Sequence, residues 1–152
     1  MESIGRIYNE GIEDRIATLD SEPKTSEEIA RWWSVHCGRF SVLVAAEGEN
    51  VVGWASLNPF SHRCAHADIA DLSVYVERQR RGKGIGYALL QRLTADADAV
   101  GFHKLVLHAL DSNEHGKRLY RKVGFVEVGV FKEHGRLDGR YVDVVAMELV
   151  LA

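Results

Sequence analysis

Four cations, Arg78, Arg80, Arg81 and Lys83, stand within six residues, and Gly82, Gly84 and Gly86 alternate through the same stretch. Glycine lets a backbone approach a ligand closely. The first N–H groups of a following helix lack intrahelical partners and carry the positive end of its dipole. Together they suit a phosphate. Three loop spacings compete. The P-loop requires Gly, four residues, then Gly-Lys-Ser/Thr, and the sequence has no such run. The dinucleotide fingerprint requires a third small residue, where Tyr87 stands in one register and Leu89 in the other. The third spacing, Gln/Arg-x-x-Gly-x-Gly/Ala, is met in full by Gln79-Arg80-Arg81-Gly82-Lys83-Gly84. The plainer alternative is a solvated basic turn.

A second reactive group is His62-Arg63-Cys64-Ala65-His66. Histidines four apart bind metal when they share a helix face, but Pro59 and the irregular run to Ala67 argue against a helix. No metal is expected there, and a substrate-pocket loop fits better. Asp71 is the candidate base. It lies on the polar face of the strand that enters the glycine turn, two residues before Ser73. Burial would raise its pKa toward a useful range. The alternative is a structural carboxylate paired with an arginine. Trp32, Trp33, Trp54 and Phe60 read as core or pocket wall.

The elements that must position these groups follow from patterning. Ile69 to Val76 is a strand, with Leu72, Val74 and Val76 on one face and Asp71, Ser73 and Tyr75 on the other. Ile85, Leu89 and Leu93, with Ala97 and Val100, make the following helix amphipathic, and Gly101 ends it. Upstream, Ile4, Ile7, Tyr8, Gly11, Ile12 and Ile16 predict a helix over 4–17, followed by a polar loop over 18–25. Thr25 or Ser26 caps a second helix carrying Ile29, Trp32, Trp33 and His36, which Gly38 ends. Phe40–Ala46 and Val51–Leu57 are strands about a Glu47–Asn50 turn. Downstream come a buried strand over Lys104–Leu110 and an N-cap with capping-box partner within Asp111–Glu114. A helix then runs to Lys122, with Gly124 as its C′ residue. Strands Phe125–His134 and Tyr141–Leu149 are joined by Gly135–Gly139. Helices alternating with strands and hairpins predict one α/β domain over 1–152 with a mixed sheet.

At 152 residues the chain is long enough for a sizeable core. A net charge of −3 argues against a general nucleic-acid binder, and no basic stripe with interleaved aromatics appears outside the loop. No apolar run approaches the ~20 residues of a membrane span. With only Cys37 and Cys64, a disulfide scaffold is not expected and the cytoplasm is the default compartment. A cationic knot in an acidic chain suits a small polyanion such as coenzyme A.

Preceded by Ser73-Val-Tyr-Val76 and followed by Ile85-Gly-x-x-Leu-Leu90, the glycine turn resembles the acetyl-CoA pyrophosphate loop of the GNAT superfamily of N-acetyltransferases. Asn113 through Leu119-Tyr120 to Gly124-Phe125 looks like the superfamily's late helix. Ile7–Ile12, Glu22–Thr25 and the Gly135–Asp143 hairpin resemble one branch, which acetylates phosphinothricin, methionine sulfoximine and related amino-acid analogues. Three departures stand out. The family's first strand has no counterpart before the first helix. The branch's usual Glu is Asp71. Its hairpin Trp and Lys are Tyr141 and Leu137.

The resemblance implies a GNAT fold, a mostly antiparallel twisted sheet splayed at the acetyl-CoA slot, with helices on both faces. It gives the thioester carbonyl to backbone N–H groups of Val74, Tyr75 and Val76, with a bulge there opening the slot. The pyrophosphate goes to Gly82, Lys83, Gly84, Ile85, Gly86 and Tyr87, with Arg81 and Lys122 in the same cofactor-binding set. Asn113 holds the pantetheine arm, unless its side chain is already used as an N-cap. Tyr120 is the general acid beside the sulfur, unless it is only a core aromatic, and Gly116 leaves room for the coenzyme. Asp71, one methylene short, acts through an ordered water. The acceptor is a small amino acid with a free α-amine. Arg63 takes its carboxylate, unless that arginine is only an exposed loop cation. His66 donates to a phosphinyl or sulfoximine oxygen, and Tyr141 joins the substrate site. A homodimer through the C-terminal half is expected, with Val144, Val145 and Leu149 as its apolar surface. The rivals are a protein N-terminal or lysine acetyltransferase and a catalytically silent CoA-binding sensor.

Overall fold

The computed structural model describes residues 1–15 and 17–151. Six strands, β1 (Val42–Glu47), β2 (Asn50–Pro59), β3 (Ile69–Val76), β4 (Lys104–Leu110), β5 (Val126–Leu137) and β6 (Arg140–Val150), form one sheet in the order β1-β2-β3-β4-β6-β5. Every neighbouring pair is antiparallel except β3–β4, which is parallel. The helices are α1 (Glu2–Asp14), α2 (Ser26–Ser34), α3 (Ile85–Ala99) and α4 (Glu114–Val123).

Two adjacent residues of β2 show how the faces are covered. Trp54 packs with Ile4 and Ile7 of α1. A Cβ on Gly53 would sit 3.1 Å from Ile85 and 3.2 Å from Leu89, so α3 lies against the opposite face and glycine permits the approach. On the α3 side Leu89, Leu90, Leu93 and Ala97 meet Ala55, Leu57, Ala70, Leu72, Leu105, Leu107 and Met147. Each buried leucine contributes about 1.5–3 kcal/mol, and this layer fixes β3 and β4 side by side. Opposite it, Trp54, Tyr75, Tyr8 and Trp32 form an aromatic cluster under α1 and α2, with Tyr8 edge-on to Tyr75 at 4.9 Å.

Several boundaries differ from expectation, each for a local reason. The first helix stops at Asp14, where Arg15 turns left-handed (φ 57); Ile16, assigned to that helix from its spacing, lies outside the described residues. Thr25 does cap α2, in a full capping box with Glu28, but the helix ends at Ser34 and not at Gly38. His36 leaves the helix to bond the Trp32 carbonyl and the Asn58 side chain. At α4 the cap is Asn113, which puts Gly116 at N3 and leaves no side chain to complete a capping box; Glu114 at N1 pairs with Lys117. The last hairpin is longer than Gly135–Gly139 allows. Asp138 and Gly139 are both left-handed (φ 51 and 77), the geometry of a two-residue turn that continues the twist of its strands. Val144 and Val145 are buried, so neither offers a dimer surface, and Leu149 packs against the core. Among the described residues no helix is long and apolar enough to cross a membrane. Cys37 and Cys64 are free and exposed.

Candidate active site

The glycine turn is built as a cradle. Gly82 and Gly84 are left-handed (φ 76 and 86), and a Cβ at either would meet no atom within 4 Å. Open space therefore lies over the turn, and Gly84 is the N-cap of α3, so the helix's first N–H groups look into it. Lys122 stands over the Tyr87 ring at 4.4 Å on the rim. Most of the arginines serve the scaffold. Arg78 bonds Glu13 and Asp14 of α1, Arg80 bonds Glu47, and Arg81 holds both the Val76 carbonyl and Asp14. Burial alone would raise the Asp14 carboxyl, but hydrogen bonds and charge from Arg78 and Arg81 outweigh it and hold it below its ordinary value.

Beside the turn the sheet opens. The β3–β4 ladder has three pairs, Ile69↔Lys104, Ala70↔Leu105 and Asp71↔Val106, and then stops. The expected bulge in β3 is absent, since its register with β2 runs unbroken from Gly53↔Val76 to Pro59↔Ala70. The slot opens because β4 parts from β3, leaving Leu72–Val76 unpaired on that side. A cavity of about 780 Å³ runs from the glycine turn into this slot, and its lining includes Val74, Tyr75, Val76, Asn113 and Tyr120.

Asp71 sits on the slot's edge. Contrary to expectation it is not buried, with its side chain 32% exposed, because the strands part just beyond it. Among the described residues its basic neighbour is a histidine and no arginine. His108 of β4 has Nδ1 3.9 Å from Oδ2 of Asp71. Tyr120 lines the same cavity, and its phenol is pushed up to about 12 by burial and then by the Asp71 carboxylate. Asn113 does spend its oxygen as the N-cap, accepting from the Gly116 N–H at 3.0 Å. A Cβ on Gly116 would lie 2.5 Å from the Asn113 amide, so that glycine serves the cap rather than simply clearing space.

A second cavity, about 420 Å³, lies on the aromatic face. Tyr8, Lys24, Arg31, Trp32 and Trp54 line it, and Ser73 lines both cavities. The Ser73 oxygen accepts a hydrogen bond from Asn58 Nδ2 at 3.0 Å, which leaves its proton to donate into the site. Tyr8 donates to Asp20, and burial followed by that bond pushes its phenol up to about 12. Arg63, His66 and Tyr141 line neither cavity. Arg63 is exposed on the loop before a short 3₁₀ turn, His66 rests edge-on to Phe60, and Tyr141 is 66% exposed beside Arg136. His108, Lys24 and Arg31 carried no sequence signal of their own, since their neighbours at the cavities come from distant segments.

Residues 6–125 match the model of the Acetyltransferase (GNAT) family. A phosphinothricin N-acetyltransferase of Streptomyces coelicolor is 33% identical over 91% of this chain and 83% of its own. A phosphinothricin acetyltransferase of Sinorhizobium meliloti, crystallised with acetyl-CoA, superposes with a TM-score of 0.94 at 31% identity, over 99% of this chain and 83% of that one. A ribosomal-protein-alanine N-acetyltransferase from Brucella melitensis superposes at 0.90 with 33% identity, over 96% and 91%.

Proposed function

Because the chain belongs to the GNAT acetyltransferase family, with acetyl-CoA as its co-substrate, we propose that it acetylates the α-amine of a small amino acid or analogue of the phosphinothricin, methionine sulfoximine or arsinothricin type by direct attack. The observation that carries this reading is the second cavity, which meets the coenzyme slot at Ser73 and combines aromatic walls with Lys24 and Arg31. Its volume suits an amino acid: Lys24 and Arg31 suit the carboxylate, and Asp20 and Glu28, which share the lining, suit the ammonium.

The acetyl group arrives on a thioester; the chain's residues do the rest. Backbone N–H groups over Gly82–Tyr87 hold the pyrophosphate, and the unpaired backbone of Val74–Val76 serves the pantetheine arm and the carbonyl. Holding the two reactants in adjoining cavities supplies several kcal/mol of the barrier. Asp71 receives the ammonium proton. Ser73 donates a hydrogen bond to the acceptor. Tyr120 donates to the departing sulfur. A phenol near 12 is a weaker acid than a thiol near 8.5, so this role is chiefly a hydrogen bond to developing charge.

Acetyl-CoA turnover with a panel of amines tests the reading. Amino-acid analogues should be acetylated well and lose efficiency in Lys24→Ala through a raised KM, while amines lacking a carboxylate should be indifferent to that change. Good turnover of peptides or polyamines, and none of the analogues, would refute it. The likeness to a ribosomal-protein acetyltransferase is what favours the second reading, a protein N-terminal acetyltransferase, so an N-terminal alanine peptide belongs in the panel.

Tyr120→Phe should lower kcat about 10-fold or more without loss of coenzyme affinity. It should also change the alkaline limb of stability. Tyr8 and Tyr120 hold their protons to about 12 when folded against about 10 unfolded, so stability falls as pH rises above 10. The variant removes one of those contributions, and pH-dependent melting should show a shallower decline.

The same reading takes the enzyme as a homodimer. Strand β5 is a sheet edge with Val126, Val128 and Phe131 exposed, a surface suited to a second copy. Light scattering should give twice the monomer mass at micromolar concentration; a single-chain mass refutes it.

A further inference from the structure

Resting on the acetyl-transfer reading, we infer that His108 is the second half of the proton path, taking from Asp71 the proton that the substrate ammonium gives up and passing it to solvent. The two side chains stand on the same face of the sheet, on the facing lips of the slot. Asp71 is the last residue of β3 paired with β4, and His108 lies two residues beyond Val106, its partner there. Their Nδ1–Oδ2 separation is 3.9 Å, and both line the larger cavity. Among the described residues the imidazole has no hydrogen-bond partner. Its side chain is 41% exposed, so it has an exit to water.

The chemistry calls for such a group. In the transfer two ammonium N–H bonds break, the amine's lone pair forms the C–N bond, the C–S bond breaks and the sulfur takes up one of the two protons. Starting from the ammonium, one proton per turnover is released. A carboxyl titrates near 3.9 in water and an α-ammonium near 8, so a lone carboxylate is a poor resting place for that proton. An imidazole, near 6.5, holds it about 400-fold better. The charged and titratable groups sharing this cavity are Asp14 from α1, Asp71 and Tyr75 from β3, Arg80 and Arg81 before the glycines, Tyr87 from α3, and His115, Arg118, Tyr120 and Lys122 from α4. Ala146 opposite on β6 carries no charge, and β5 presents Phe131 at 6.2 Å with His134 stacked behind it.

Two variants and one coenzyme-free measurement test the inference. His108→Gln should lower kcat about 10-fold or more and shift the acid-side fall of kcat with pH, with acetyl-CoA affinity by calorimetry unchanged. His108→Ala should be rescued by added imidazole, which a packing role would not produce. In the free protein, the ring-nitrogen NMR signals of His108 should move on Asp71→Asn. Turnover of His108→Gln within twofold of the parent from pH 6 to 9, a slow His108→Ala that imidazole does not restore, or unmoved ring signals would each overturn it. A parent that acetylates no amine would end the transferase reading instead, and the NMR measurement would still decide the Asp71–His108 pairing.

Discussion

The Gly84→Val protein should bind acetyl-CoA about 100-fold more weakly than the parent, through loss of about two charge-assisted hydrogen bonds from the loop backbone. Gly84 sits at φ 86 as the N-cap of α3, and open space lies above it. A branched side chain there would occupy the phosphate's position and push the backbone away from its left-handed turn. The strain costs about 1–2 kcal/mol, yet a Cβ meets no atom within 4 Å, so the variant should fold. Calorimetry of coenzyme binding beside a thermal melt separates the two effects. Parent-like affinity would remove the loop from the coenzyme site.

Asp71→Asn should lower kcat by about 10²–10⁴-fold and abolish the acid-side limb of the pH–rate profile, with coenzyme affinity unchanged. A second, independent signature should accompany it. Part of what holds the Tyr120 phenol at about 12 is the Asp71 charge, so removing that charge should let the phenol ionise at lower pH, while burial keeps it above the ordinary value. Ultraviolet titration of tyrosine reads this directly. A full rate at neutral pH would move the base elsewhere; an unmoved phenol would mean the two groups do not feel each other.

The glycine turn and the cavity beside it, the proposed coenzyme half of the site, were legible in outline because the turn is local. The β3 alternation, the three glycines and the amphipathic α3 are contiguous, and their geometry follows from residue type. The late helix was legible for the same reason, though Gly116 proves to serve the Asn113 cap. The acceptor half was not legible from the residues alone. Its walls bring together Tyr8, Lys24, Trp32, Trp54 and Ser73, five positions on four separate elements and a loop, and only tertiary packing unites them. Arg63 and His66 lie near Asp71 and β3 in sequence, but the chain leaves β2 at Pro59 and carries them outside both cavities. His108 hid in a strand whose other residues are mostly apolar, where a lone imidazole reads as part of a buried run. The exposure of Asp71 is not legible in sequence because no pattern in β3 tells where β4 will part from it.

That parting divides the molecule mechanically. Strands β1, β2 and β3, with α1 and the glycine turn, make one panel; β4, β6 and β5, with α4 leading into β5, make the other. Among the described residues, only the three β3–β4 pairs join them within the sheet, and α3 braces the back. The edges beyond that corner present peptide groups with no strand to satisfy them. A ligand threaded between them acts as a missing strand, so its affinity adds to the cohesion of the whole chain by mass action. With the coenzyme placed as proposed, folding stability and occupancy rise together, so the melting temperature should climb with acetyl-CoA concentration.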